Sequence, residues 1–105
     1  MDSPTQTAVL ALAGEIDLHQ SAQVRQSLEP VLAHKPRRLL IDLTAVSYMD
    51  SSGLAVLIEA FQRIQPQGGV LALCGLQPAV QDIFEIARLD QVFKIYPNRA
   101  AALAD

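Results

Sequence analysis

The sequence predicts a single small α/β domain, with about four mostly parallel strands flanked by four helices. Three observations carry that reading. Short apolar runs alternate with longer segments of helical periodicity along all 105 residues, the pattern of strands joined by crossovers over one sheet. Two of those runs, LLIDL at 39–43 and VLALC at 70–74, are apolar on both faces, as are strands buried between two layers. Leu54, Leu57, Ile58, Phe61 and Ile64 recur at helical spacing with Glu59, Gln62 and Arg63 opposite, which makes this the clearest amphipathic helix in the chain.

The elements follow in order. AVLALA at 8–13 ends at Gly14 and reads as the first strand, and the polar GEIDLHQSAQ reads as a connection. Val24, Leu28, Val31 and Leu32 mark one face of a helix over about 21–33. Pro30 falls inside it, and an interior proline removes a hydrogen bond and crowds the preceding turn. A bend or an early end is expected there. After the strand at 39–43 and the helix that follows DSSG, Pro66-Gln67-Gly68-Gly69 turns the chain into the strand at 70–74. Pro78 opens a helix carrying Val80, Ile83, Phe84 and Ala87. Residues 92–96 read as the fourth strand, and Asn98 is placed to cap a short alanine-rich helix to about 103.

Half the residues are hydrophobic and 18% are charged, so the chain can bury a core and is not a disordered tail. A domain of this size buries about two-thirds of its unfolded surface and needs no disulfide or metal. The single Cys74, in VLALCGL, reads as a small buried hydrophobe. A net charge of −3 and a pI near 5.2 argue against nucleic acid as the main partner. The one tight basic cluster, His34-Lys35-Pro36-Arg37-Arg38, reads as solvated turn residues ahead of a strand, with a phosphate-binding patch as the alternative. The N-terminus has no basic region ahead of its apolar run, which Gly14 and Glu15 interrupt; it does not read as a signal peptide. No apolar run approaches the ~20 residues of a membrane span. The expected location is cytoplasmic.

Nothing in the chain is arranged as a catalytic site. His19 and His34 lie in polar contexts without a partner at metal-ligand spacing and read as surface residues. MDSSG lacks the first glycine of a G-x-S-x-G elbow, and no histidine follows it. Gly68-Gly69 are not followed by the Lys-Ser or Lys-Thr of a phosphate loop. Glu15 and Asp17 could pair as acid and base, but such pairs are more often the exposed part of a loop. No enzyme activity, cofactor or metal is expected.

Tyr48-Met49-Asp50-Ser51-Ser52-Gly53-Leu54 then stands out, with an acid, two hydroxyls and a glycine where a strand hands over to a helix. In parallel sheets, contacts with ligands and partners gather at that end of the strands. One reading is an N-cap serine with a turn glycine. The other is a modification site: a phosphoryl group of about −1.5 to −2 charges would be tolerated by the helix N-terminus while repelling Asp50 and any acidic partner surface.

The ordered set Gly14-Glu15-Ile16-Asp17, Leu40-Ile41-Asp42-Leu43, Val46-Ser47-Tyr48 and Met49-Asp50-Ser51-Ser52-Gly53-Leu54, followed by Gly68-Gly69 and Pro78, resembles the STAS family. That family comprises the domain of sulfate transporters and of bacterial anti-sigma factor antagonists. The resemblance spans about 8–103. It implies a small mixed sheet flanked by helices and a protein that works by binding. Stand-alone members capture an anti-sigma factor that is also a serine kinase, which phosphorylates the serine directly after the motif aspartate; a phosphatase reverses it. The resemblance therefore implies phosphorylation of Ser51 in a loop shaped by Asp50, Ser52 and Gly53, with Ser52 the more structural hydroxyl. It also implies a partner surface of Glu15, Asp17, Ala55 and Glu59. ATP and magnesium would belong to the kinase, so no cofactor is implied for this chain. Two features depart from the pattern. Family members often carry a further strand ahead of the first one here, which leaves a monomer or a weak homodimer as the expected state. Ala55 stands where many antagonists have a second glycine. Two other readings are an accessory subunit of a transport ATPase complex, docked permanently, and a small anion- or nucleotide-binding module using the helix N-terminus.

Overall fold

The structure is a computed structural model that describes residues 7–104. Its elements are β1 (Thr7–Ile16), α1 (Leu18–Ala33), β2 (Arg38–Met49), α2 (Ser51–Ile64), β3 (Val70–Cys74), α3 (Pro78–Ile86), β4 (Lys94–Tyr96) and α4 (Arg99–Ala104), with 3-10 turns after α2 and α3. The sheet has the order β1-β2-β3-β4 and is parallel at every pairing. The further strand that family members often carry ahead of β1 would lie outside the described residues.

β2 explains the layers. Leu39, Ile41 and Leu43 point into the main core with α1, α2 and α3, whereas Leu40 meets Ala72, Cys74 and Ala102 of α4 on the other side. Successive side chains of a strand alternate between faces, so a strand covered on both sides must be apolar throughout. Cys74 is fully buried there, as its neighbours in sequence suggest.

Several boundaries differ from the sequence reading. β1 extends through Glu15 to Ile16, and α1 begins at Leu18, so the supposed polar connection is the end of a strand and the start of a helix. The polar residues there are tolerated because one side of β1 is exposed. Likewise Val46-Ser47-Tyr48 belongs to β2, which outruns β3 and continues alongside β1. Pro30 neither ends nor replaces the last turn of α1: the helix runs on to Ala33, with Leu32 buried. Pro30 sits close enough to the C-terminus that one lost hydrogen bond is offset by burial of the next turn. β4 is shorter than expected, because Val92 and Phe93 lie in the preceding turn. Phe93 instead packs edge-on to Phe61 and Phe84, with ring centroids 5.5 and 5.8 Å apart, and joins α2 to α3.

The α1–α2 contact orients the functional end. Val56 and Ala60 of α2 are buried in addition to the expected Leu54, Leu57 and Ile64, because this helix packs on α1 as well as on the sheet. Arg25 pairs with Glu59 at 2.9 Å and Glu29 with Arg63 at 2.5 Å. The constant offset between partners means that the two helices run parallel and in step.

Candidate functional site

The two motif segments are brought together by the register of β1 and β2. Glu15 lies opposite Tyr48 and Ile16 opposite Met49, and the Asp50 N–H donates to the Ile16 carbonyl at 3.3 Å. Each strand then gives way to a helix through one aspartate. Asp17 and Asp50 have nearly the same extended backbone, with φ −110° and −113°. Asp17 Oδ1 accepts from the N–H groups of His19 and Gln20 at 3.0 and 3.1 Å. Asp50 Oδ1 accepts from Ser52 and Gly53 at 2.9 and 3.4 Å. A carboxylate in this position satisfies donors that the first turn leaves without partners and faces the positive end of the helix dipole.

This corrects the role given to the serines and the glycine. The cap of α2 is Asp50, and Ser51, Ser52 and Gly53 are already helical, so the segment is the first turn of a helix and not a loop. Asp50 is the cap because it is the last residue with extended backbone before the helix, the position from which a side-chain oxygen reaches the second and third N–H groups. Ser51, the first helical residue, is exposed; Ser52 is half-buried. Gly53 is buried against the sheet, where an added Cβ would stand 2.6 Å from Met49 Cγ and 2.9 Å from Ile16 Cγ2. Glycine is required for close approach, since its φ is not in the left-handed region.

Left-handed backbone does occur at Gly14, with φ 82°. The β1–β2 register shifts between Gly14 and Glu15, an irregularity of the kind that re-aims side chains at a sheet edge. Glu15 is exposed beside Tyr48, itself 45% exposed. An open cleft of about 390 Å³ between β1 and α1, lined among others by Glu15, Gln20, Gln23 and Ser27, adjoins this end.

The remaining expected contact residues divide. Ala55 is exposed on α2. Asp17 is half-buried and committed to its cap. Glu59 is exposed but joined at two points to Arg25, whose hydrogen bond, then charge, holds the Glu59 carboxyl below its ordinary range. Leu18, 70% exposed at the start of α1, and Tyr48 were not expected as contact residues from the sequence. The signal for Leu18 was an apolar residue directly after a capping aspartate. Among the described residues no group of three His, Cys, Asp or Glu side chains could hold a metal, and no helix is long and apolar enough to cross a membrane. His19 and His34 are exposed.

The family model for the STAS domain matches residues 1–102. The anti-sigma-B factor antagonist of Listeria monocytogenes is 39% identical over 84 residues, covering 80% of this chain and 74% of the relative. The crystal structure of an anti-sigma factor antagonist from Mycobacterium paratuberculosis superposes with a TM-score of 0.87 at 28% identity, covering 98% of this chain and 87% of that one. The Bacillus cell-fate determinant SpoIIAA, in its phosphorylated form, shares the fold with a TM-score of 0.72 at 21% identity, over 94% of this chain and 89% of the other.

Proposed function

As this chain belongs to the STAS domain family, we propose that it is an anti-sigma factor antagonist of the cytoplasm, switched off by phosphorylation of Ser51. The observation that carries this reading is an exposed Ser51 at the first residue of α2, directly after the capping Asp50 and at the end of the sheet where Glu15 lies opposite Tyr48. Relatives bearing the antagonist name, and a neighbour described in a phosphorylated form, support it.

In this reading an anti-sigma factor with serine kinase activity docks over Glu15, Leu18, Tyr48, Ser51 and Ala55. The exposed Glu15 carboxylate calls for a basic group on that partner, and Leu18 and Tyr48 supply apolar contact. Phosphorylation adds about −1.5 to −2 charges at an edge that is already acidic. The helix N-terminus tolerates the new charge, whereas a docked surface must desolvate it. The fold thus persists while the interface fails, and a phosphatase restores binding. The chain supplies the acceptor hydroxyl and no catalytic group; ATP and magnesium belong to the kinase.

The test is intact-mass analysis of protein recovered from its native cells, with fragmentation across residues 48–54. One phosphoryl group on Ser51 is the expected result. An unmodified Ser51 under several growth conditions would overturn the switch and favour a permanently docked subunit of a transport complex. Use of the α2 N-terminus as an anion site has less support, because Asp50 already occupies two of its donors.

A further inference from the structure

We propose that a cleft at the opposite end of the sheet binds a phosphate monoester. The basic cluster near residue 37 has no part in the switch, yet the topology completes it. Arg38 lies opposite Val70, and Ala72 opposite Lys94. Alternation along the strands therefore puts Arg38, Val70 and Lys94 on the face that carries α4. That helix covers Leu40, Ala72 and Cys74 but leaves Val70 39% exposed. Arg37, Arg38, Val70 and Lys94 line the resulting cleft of about 340 Å³, within the size range of small-ligand sites.

Two hydrogen bonds hold the frame of the cleft. The Arg37 carbonyl accepts from the Val70 N–H at 2.9 Å, and Arg38 Nη2 donates to the Ala102 carbonyl at 2.5 Å. Arg25, Arg63 and Arg99 each pair with a carboxylate elsewhere. Among the described residues no carboxylate lines the cleft, and Arg37 and Lys94 have no ion-pair partner. In a chain of net charge −3, this concentration of cations is not a by-product of general basicity. The Arg37 guanidinium matches phosphate oxygens in a forked geometry, Lys94 adds a second charge, and Val70 with the aliphatic stems offers an apolar floor for the body of the ligand. The length of β2, Arg38–Met49, separates this end from Ser51 by roughly 36 Å at a rise of about 3.3 Å per residue, so the site is separate from the switch.

The experiment titrates the full chain at constant ionic strength, held with sodium chloride. Inorganic phosphate and adenosine monophosphate are followed through the backbone amides around residues 37, 70 and 94 by NMR. Phosphatidic acid vesicles are followed by co-sedimentation. Saturable binding is expected, weakened about tenfold by Arg37→Gln or Lys94→Gln, with unchanged melting temperatures since both side chains are exposed. Saturation by phosphate alone, tighter binding of the nucleotide, or binding confined to vesicles would each support the site and identify the carrier of the phosphate. Non-saturable shifts, or binding indifferent to both substitutions, would mark diffuse charge screening and overturn it.

Discussion

Gly53 of α2 lies so close to Ile16 of β1 that a Cβ added to it would stand 3.0 Å from the Ile16 carbonyl oxygen. The backbone at the end of one motif segment is thus the packing surface for the other. Gly53→Val must displace Ile16, Met49 or the helix itself, and overpacking of this kind costs about 3 kcal/mol. Urea denaturation should show the midpoint falling accordingly. A neutral result would mean that α2 can move away from β1 without penalty.

Asp50 and Ser52 should separate as cap and passenger. Asp50→Ala removes the acceptor of two N–H groups and should lower stability by about 1 kcal/mol. Asp50→Asn should recover most of that loss. Ser52→Ala should change the melting temperature little; a loss as large as that of Asp50→Ala would return the capping role to the serine.

Ser51 variants divide the switch from the scaffold. Ser51→Ala should bind the anti-sigma factor and resist labelling by its kinase. Ser51→Asp should melt near wild type, because a charge in the first turn gains about 0.3–1 kcal/mol from the helix dipole while Asp50 repels it. Its binding should fall sharply, as measured by calorimetry. Labelling of the alanine variant at the normal rate would move the acceptor elsewhere.

Asp42 predicts an acid limb. Its carboxylate accepts from the Thr44 hydroxyl and N–H and from Arg99, and the Thr44 hydroxyl, foremost, with Arg99 further down, lowers its pKa. The folded state therefore binds the proton less readily than the unfolded chain. That contribution is fully present above the unfolded value of about 3.9 and is lost as pH falls through the lower folded value. Asp42→Asn should lower stability near neutrality and flatten the decline below about pH 4. It should also loosen α4, which Arg99 ties down. Cys74 beneath α4 has its thiol pKa pushed up by burial and then by Asp42; an Ellman reagent should react with it faster in the variant than in wild type.

Glu59→Gln breaks an exposed pair with Arg25, an interaction of small and salt-sensitive worth. Stability at moderate salt should be unchanged, so any loss of partner binding by this variant would report contact and not folding.

The sequence by itself determined the alternation of strands and helices, the buried character of residues 39–41, 43 and 71–74, and the placing of Ser51 where a strand meets a helix. Each depends on local periodicity, which one chain segment carries alone. Tertiary structure decided the rest. Asp50, not a serine, caps α2, because several neighbouring residues could have bonded the same N–H groups and only the backbone position at the strand end selects one. Residues 14–16 and 46–49 are strand, because each polar segment is paired by the other across a register that neither encodes separately. Glu59 spends its charge on Arg25 through the in-step packing of α1 and α2. Lys94 lines one cleft with Arg37 and Arg38 across three strands, a juxtaposition of residues far apart in sequence that only the strand order brings about.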